Sequence, residues 1–503
     1  MNEHSAFGNL VLGIDLGTQS TKALVYDPET KDILALVQSP HDIIQRSDGT
    51  SEQDAKWWIA AIIDCLGRLD SGLRRRICAV GVSGQQHGFV PVDSKGRVVY
   101  RVKLWNDTTT EDECNDITTA FGGRERLIGE VGNPMLPGYT APKVLWLKRH
   151  APDAYAAMSR ILLPHDYINF FLTGQYSAEA GDASGTGFLD IRSRQWSSAA
   201  LAAVDDQRNL GECLPSLIEP HAAVGNISKG TAELLGLPEH ALVSAGGGDN
   251  MMAAIGTGCA GAGVFTISLG TSGTLFGYSE RPIVDPSGLV AAFCSSTGAW
   301  LPLVCTMNCT VATELNRTLF EMPLADIDRL SMTVPAGADA LITLPYFNGE
   351  RTPNFPRARG CIFGLTPSNY TRAHLVRSAM EGAIFALRYG QEAFSDLGLR
   401  PKSIKLTGGG AKSRVWRQMV ADISGCSVTC PSVEETAAFG AALQAFWMYR
   451  GRQGRLQPIE ALVAEHVPSD GAEIVPDSGT RPIYDIAYRE YLEIVQLLRP
   501  KFV

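Results

Sequence analysis

Two stretches of the chain, IDLGTQSTK at residues 14–22 and ISLGTSGT at residues 267–274, repeat one pattern about 250 residues apart. In each, an apolar run (10–14 and 263–268) leads into Leu-Gly-Thr and then into Ser, Thr or Gly, the composition of a tight hairpin between two strands. Glycine lets backbone N–H groups come close to an anion, and hydroxyls add further donors. A duplicated phosphate clamp of this kind predicts a nucleotide-using protein with two facing lobes. The two copies differ in charge. The first has Asp15 ahead of its glycine and Lys22 behind its hydroxyls, whereas the second has Ser268 and no charged residue. The first is therefore expected to hold metal and terminal phosphate, and the second phosphate alone.

A chain of 503 residues exceeds what one hydrophobic core supports, so two domains are expected. The net charge of -9 argues against a nucleic-acid groove, and the one dense basic cluster, Arg74, Arg75 and Arg76, reads as a solvated turn between a helix and a strand. Eleven cysteines are scattered without CxxC spacing or a histidine cluster, which predicts reduced thiols rather than zinc or disulfides. The first nine residues, MNEHSAFGN, show neither the basic nor the long apolar region of a signal peptide, and the expected location is the cytoplasm. Residues 250–279 carry no charge, but glycines at 256, 258, 261, 263, 270 and 273 break the run, which reads as a short helix and two buried strands rather than a membrane span.

The first half begins with strands at 10–14, 22–26 and 33–38, followed by a helix with Trp57, Ile62 and Leu66 on one face and a buried strand at 77–83 that ends in SGQQHG. The second half repeats the plan, with strands at 263–268 and 275–278, helices at 371–397 and 413–424, and a strand at 404–407 running into Gly408, Gly409 and Gly410. Mixed sheets flanked by helices, twice, predict two α/β domains, 1–246 and 247–503, around a cleft, with a glycine hinge near 243–248. Asp249 follows that glycine run and is the candidate base for phosphoryl transfer to an alcohol; its bland alternative is a cap on the helix that follows. Asp15 reads as an organiser of hydrated magnesium, with a β-turn aspartate as its alternative. Gln85, Gln86 and His87 end a buried strand, where α/β folds place ligand groups, and Trp105, Asn106 and Asp107 form a polar cluster with an aromatic face. The run from Gly408 to Ala411, ahead of a helix start, suits a nucleotide. Neither a G-x-x-x-x-G-K-[ST] segment nor a protein-kinase glycine loop is present.

The chain resembles the FGGY carbohydrate kinases, whose two actin-like, ribonuclease H-like ATPase domains enclose an interdomain cleft. Both signature segments of that group are present: GYTAPKVLWLKRH at 138–150, and GCIFGL at 360–365 continuing through HLVRSAME at 374–381. SEQDAKWW (51–58), LPHDYI (163–168), DASGTGFLD (182–190) and PYFNGERTP (345–353) extend the likeness over residues 12 to 449. Within the group, SGQQHG (83–88), LWND (104–107) and GGGDN (246–250) are most similar to the xylulokinase branch. Gln86 stands where that branch often has Met, and Thr108, Thr109 and Thr110 follow LWND where Asp-Gly-Arg is common, which bears on the identity of the sugar.

The resemblance implies that Asp249 takes the proton from the terminal hydroxyl of a ketose and that Gln86, His87, Asp107 and Asn250 contact the sugar. It implies Mg-ATP supported by Asp15, with Asp15 and Asp249 reaching the metal through water. The phosphates would lie between Gly17, Thr18, Gln19, Ser20 and Lys22 on one side and Gly270, Thr271 and Ser272 on the other, with the adenine side near Gly409, Gly410 and Ala411. The implied reaction is ATP-dependent phosphorylation of D-xylulose, with another ketose or polyol, or a non-catalytic nucleotide switch, as alternatives. No nucleic-acid or membrane partner is expected. The amphipathic stretch 483–498 is expected to pack on a domain, with a homodimer contact as the alternative.

Overall fold

The computed structural model describes residues 8–469 and 471–502. Its two main sheets follow one plan. In the first, Asp32–Pro40, Ser20–Asp27 and Leu10–Leu16 run antiparallel to one another; Leu10–Leu16 then pairs in parallel with Ile77–Gly84, and Ile77–Gly84 in parallel with Leu242–Ser244. Ala223–Asn226 closes that edge, and the two-residue strand Gly247–Gly248 also pairs with Ile77–Gly84. In the second, Leu303–Thr306, Gly273–Gly277 and Val264–Leu269 are antiparallel, while Val264–Leu269, Ser403–Thr407 and Ser427–Thr429 are parallel. The repeated sequence motif is thus the same hairpin in the same place in both sheets.

The helix Ala55–Arg68 starts where the Asp54 side chain accepts from the Lys56 amide. Its buried face carries Trp58, Ile62, Cys65 and Leu66 at helical spacing. The expected face with Trp57 is therefore off by one residue: Trp57 is half-buried, and Trp58, whose indole N–H donates to Gln53 Oε1 over 3.0 Å, fills the core. Arg74 and Arg75 end a short helix, Ser71–Arg75, and Arg74 donates to the Leu235 carbonyl across 3.0 Å, so the basic cluster is partly tied down.

Two helices connect the sheets. Asp249–Thr257 and Thr436–Arg452 lie against each other, and one apolar cluster runs from Val11, Tyr26 and Ala79 of the first sheet through Met252, Ile255, Phe439 and Leu443 to Phe276 and Leu303 of the second. A methyl group at Gly13 would overlap the Ala438 carbonyl oxygen, and one at Gly440 would overlap that of Met252, so glycine permits the close backbone approach. Thr436–Arg452 is buried nearly all round, as its largely apolar sequence requires. The last helix, Arg481–Phe502, packs on the second half through Tyr484, Tyr488 and Tyr491, and Tyr491 shares a 2.7 Å hydroxyl contact with Tyr346. Among the described residues the cysteines form no disulfide. Among the described residues no helix is long and apolar enough to cross a membrane.

Candidate active site

Strand register brings the first set of groups together. Asp15 stands beside Ser83, Leu16 beside Gly84, and Gly247 and Gly248 beside the same Ser83 and Gly84, so Asp15, Gln85 to His87 and Asp249 emerge at the carboxyl ends of adjacent parallel strands. The approach to Asp249 is fastened rather than loose. Buried Gln444 accepts from Ser244 Oγ (2.9 Å) and from the Gly246 amide (2.8 Å), and donates to the Gly246 carbonyl (2.9 Å). Asn169 donates to the Ala245 carbonyl over 2.8 Å. These bonds hold the strand end at the expected glycine hinge, and Gly246, at φ +74, is the left-handed position in it.

Asp249 opens the helix Asp249–Thr257 but does not cap it, because Gly248 holds the cap position. Its Oδ1 accepts from the Asn250 amide at 2.8 Å and from Asn250 Nδ2 at 3.1 Å. Burial pushes its carboxyl up to about 7, helped by the negative charges of Asp15 and Asp182 and opposed by the Asn250 hydrogen bonds. Asp15 is also raised, first by burial, against the opposing Lys22 charge and the 2.7 Å hydrogen bond from Ser83 Oγ. Lys22 lies 3.9 Å from Asp15 Oδ2 and 2.5 Å from Glu435 Oε2, so it ties the first hairpin to the start of the Thr436–Arg452 helix.

On the other flank, Asn250 Nδ2 donates to Gln86 Oε1 at 2.8 Å, which leaves Gln86 Nε2 buried without a partner. His87 is held at φ +64, an uncommon backbone for a non-glycine residue. Its carbonyl accepts from buried Lys143 (2.8 Å) and Thr140 (3.2 Å), and its ring packs 4.9 Å from Tyr139 and 5.7 Å from Phe293, centroid to centroid. Burial, with the charges of Lys143 and Arg351, pushes His87 down to about 3, so the ring is neutral and offers one donor and one acceptor. Its Nδ1 has no contact of hydrogen-bond geometry and faces the Gly185 backbone.

Asp107 differs from these groups. It is wholly buried, and its oxygens accept from the Ser51 amide (2.9 Å), Lys103 Nζ (3.1 Å) and the Thr109 amide (3.1 Å) and hydroxyl (2.5 Å). Trp105, two residues before it, donates from its indole N–H to Thr18 Oγ1 at 3.1 Å.

The hairpin tips differ in the same way as their sequences. In the first, the Gly17 amide donates to the Ser20 carbonyl (3.0 Å), Thr18 Oγ1 donates to Gln85 Oε1 (3.3 Å), Ser20 Oγ accepts from Gln38, and Gln19 is exposed. In the second, the Gly270 amide donates to the Ser272 carbonyl (3.1 Å), and the Gly270 and Thr271 carbonyls accept from the Thr310 and Cys309 amides (both 2.9 Å). Thr271 is exposed. Ser268 pairs in register with Thr407, so Gly408 to Ala411 leave the sheet beside that tip. Gly409 has open space around it, Gly410 packs on Trp416, and Ser413 caps the next helix by accepting from the Trp416 amide at 3.0 Å. Among the described residues no group of three or more His, Cys, Asp or Glu side chains forms a metal cage.

The residue-by-residue reading missed His165, Asp182, Lys143 and Gln444. Asp182 and His165 lie in segments quoted for the family resemblance, but their pairing needs the fold. Residues 10–256 match the N-terminal domain, and residues 265–449 the C-terminal domain, of the FGGY family of carbohydrate kinases. The chain belongs to that family. This FGGY kinase is 40% identical over 491 residues to the xylulose kinase of Haemophilus influenzae, covering 96% of this chain and 99% of that one. Its structure is similar to that of a xylulose kinase from Brucella ovis, at 30% identity and TM-score 0.90, covering 98% and 99% of the two chains. A gluconate kinase from Lactobacillus acidophilus superposes almost as well, at 25% identity and TM-score 0.89 with 98% and 99% coverage. The FGGY fold alone therefore does not fix the sugar; the xylulose kinases among the relatives bear on it.

Proposed function

We propose that this FGGY kinase transfers the γ-phosphoryl group of ATP to the terminal hydroxyl of D-xylulose, giving D-xylulose 5-phosphate and ADP. The observation that carries the reading is Asp249: a carboxyl held near neutrality, beside a second carboxyl, with unpartnered polar atoms of Gln86 and His87 on its flank. A base poised near working pH is what proton removal from an alcohol needs. The xylulose kinase from Haemophilus influenzae supports the choice of sugar.

In this reading Gln86, His87 and Asn250 hold the ketose with its terminal hydroxyl against Asp249. Asp249 takes the hydroxyl proton as the oxygen bonds to the γ-phosphorus; the bond to the β–γ bridging oxygen breaks, and ADP leaves with that electron pair. The tips at Gly17 to Ser20 and Gly270 to Ser272, with Lys22, cradle the phosphates, and Gly409, Gly410 and Ala411 receive the adenine side. Asp107 acts one step back, fixing the 105–109 segment. Asp15 fits magnesium: Ser83 orients one of its oxygens, no dedicated protein cage surrounds it, and Mg²⁺ on phosphates commonly uses one or two carboxylates and water. Asp15 and Asp249 would hold it through water, and it would neutralise phosphate charge.

A coupled ADP-release assay over D-xylulose, D-ribulose, sedoheptulose, gluconate and pentitols tests the reading. D-xylulose is expected to give the highest kcat/KM. A different preferred acceptor would reassign the sugar, and slow ATP turnover indifferent to every acceptor would replace the kinase with a nucleotide switch.

A further inference from the structure

Asp182 belongs to none of the roles above, yet its side chain lies against Gly248, the residue before Asp249. It is wholly buried in the turn that follows Glu179, where the Gly185 amide donates to the Asp182 carbonyl over 2.9 Å. That turn brings Gly185 directly beneath the His87 ring. The Asp182 side chain has one oxygen spoken for: Oδ2 lies 2.8 Å from His165 Nδ1. His165, itself wholly buried, has Nε2 3.0 Å from Asp166 Oδ1, an ion-pair contact without hydrogen-bond geometry, so two carboxylates flank the imidazole. Burial disfavours its charge, but Asp166 and Asp182 more than offset this and raise its pKa well above the ordinary value. The pair is therefore built to keep the Asp182 carboxylate fixed.

The other oxygen, Oδ1, has no contact of hydrogen-bond geometry, although the nearby His87 backbone amide favours the Asp182 carboxylate. It lies against Gly248, the residue before Asp249; a side chain there would put its first carbon 3.0 Å from Oδ1 and 2.7 Å from Gln86 Cγ. Asp182 Oδ1 and Gln86, whose Nε2 is also unpartnered, thus meet at one glycine from two segments of the chain, and the next residue, His87, packs on Gly185 of the Asp182 segment. A carboxylate oxygen only accepts, so Oδ1 requires a donor, and leaving it without one is costly. A hydroxyl both donates and accepts, which suits a cluster containing an acceptor and an amide donor.

We propose that Asp182 is a further substrate-contacting residue, whose Oδ1 accepts a hydrogen bond from a secondary hydroxyl of the acceptor sugar, with His165 as the positioning residue that aims it. The proposal rests on the reading of this cleft as a sugar site. It makes Asp182 a specificity determinant, because a site built to pair a hydroxyl rejects the analogue that lacks it far more strongly than a merely apolar pocket does.

The test crosses the residue with the hydroxyl. Phosphorylation of D-xylulose, 3-deoxy-D-xylulose and 4-deoxy-D-xylulose is measured for the wild type, Asp182→Ala and Asp182→Asn, with melting temperature and ATP affinity recorded for each. The wild type should use one of the two deoxy sugars roughly a hundredfold or more less efficiently than D-xylulose. Asp182→Ala should raise KM for D-xylulose roughly tenfold or more with less change in kcat, and should add little further loss for that one deoxy sugar. An equal loss for all three sugars would make Asp182 a structural residue and overturn the proposal. If Asp182→Ala does not fold, the wild type still decides against it: use of both deoxy sugars within about fivefold of D-xylulose means that no buried acceptor reads a hydroxyl. A wild type inactive on D-xylulose is a failure of the sugar assignment instead, visible before any variant is made, and the deoxy series is then built on the sugar the enzyme accepts.

Discussion

The two hairpins share a sequence pattern and a place in their sheets, yet they work in different media. The first is wired into buried charge: Asp15 is held by Ser83, Lys22 bridges Asp15 and Glu435, and Thr18 is tied to Trp105 and Gln85. The second carries no charge, exposes Thr271, and has its Gly270 and Thr271 carbonyls anchored by the start of the helix Thr310–Leu319. Burial makes a carboxylate costly and its proton available near neutral pH, while an exposed backbone turn offers a phosphate donors but no titratable group. In the proposed reading the proton and metal chemistry falls at the first hairpin, together with Asp249.

If that division is right, losses should follow charge. Asp249→Asn keeps shape but removes the base, and turnover with D-xylulose should fall roughly 10²- to 10⁴-fold with little change in sugar affinity, measured by steady-state ADP release and calorimetry. Near-normal turnover would leave Asp249 as a helix-start residue and nothing more. Asp15→Ala should cost roughly 10- to 100-fold in productive use of Mg-ATP, the scale seen when a group supporting a metal through its outer shell is lost. Titrating magnesium at fixed ATP would show the requirement rise. Thr271→Ala removes one exposed hydroxyl donor, worth about 1 kcal/mol, so the apparent KM for ATP should rise about fivefold while kcat stays close to normal. Should Thr271→Ala prove more damaging than Asp15→Ala, the contrast between the hairpins is wrong.

The same carboxyl also affects stability. Asp249 has an ordinary value of 3.8 and is raised to about 7 in the fold, so the folded state holds this proton more tightly than the unfolded chain does. Stability from this group is present at low pH and lost as pH rises through about 7. Asp249→Asn escapes that loss and should melt at a higher temperature than the wild type above neutrality, with the gap closing toward pH 4 in a calorimetric series.

Much of this was legible in the chain itself. The hairpins, the parallel strands at 77–83 and 404–407 and the helix after Asp249 are local patterns, set by apolar runs and glycine punctuation, and the structure has them within a few residues. What escaped depends on partners distant in sequence. Gln444 is one polar residue in an apolar helix, and its clamp on Ser244 and Gly246, some 200 residues earlier, appears only once that helix crosses to the first sheet. The glycine run therefore read as a hinge. The same holds for Lys143, which supports the strained backbone of His87, and for the pairing of His165 with Asp182. Trp57 and Trp58 are adjacent aromatic residues, and composition alone does not say which one faces the core.

The pH dependence of kcat/KM for D-xylulose, measured for the wild type and for Asp249→Asn between about pH 5.5 and 8.5, tests most directly whether the buried carboxyl at the charged clamp is the proton acceptor. The account predicts a wild-type profile that climbs tenfold per pH unit on the acid side, bends near pH 7 and levels off above it, and a residual rate in Asp249→Asn that is flat across that acid limb. A flat wild-type profile, or the same limb persisting in Asp249→Asn at a comparable rate, would contradict it.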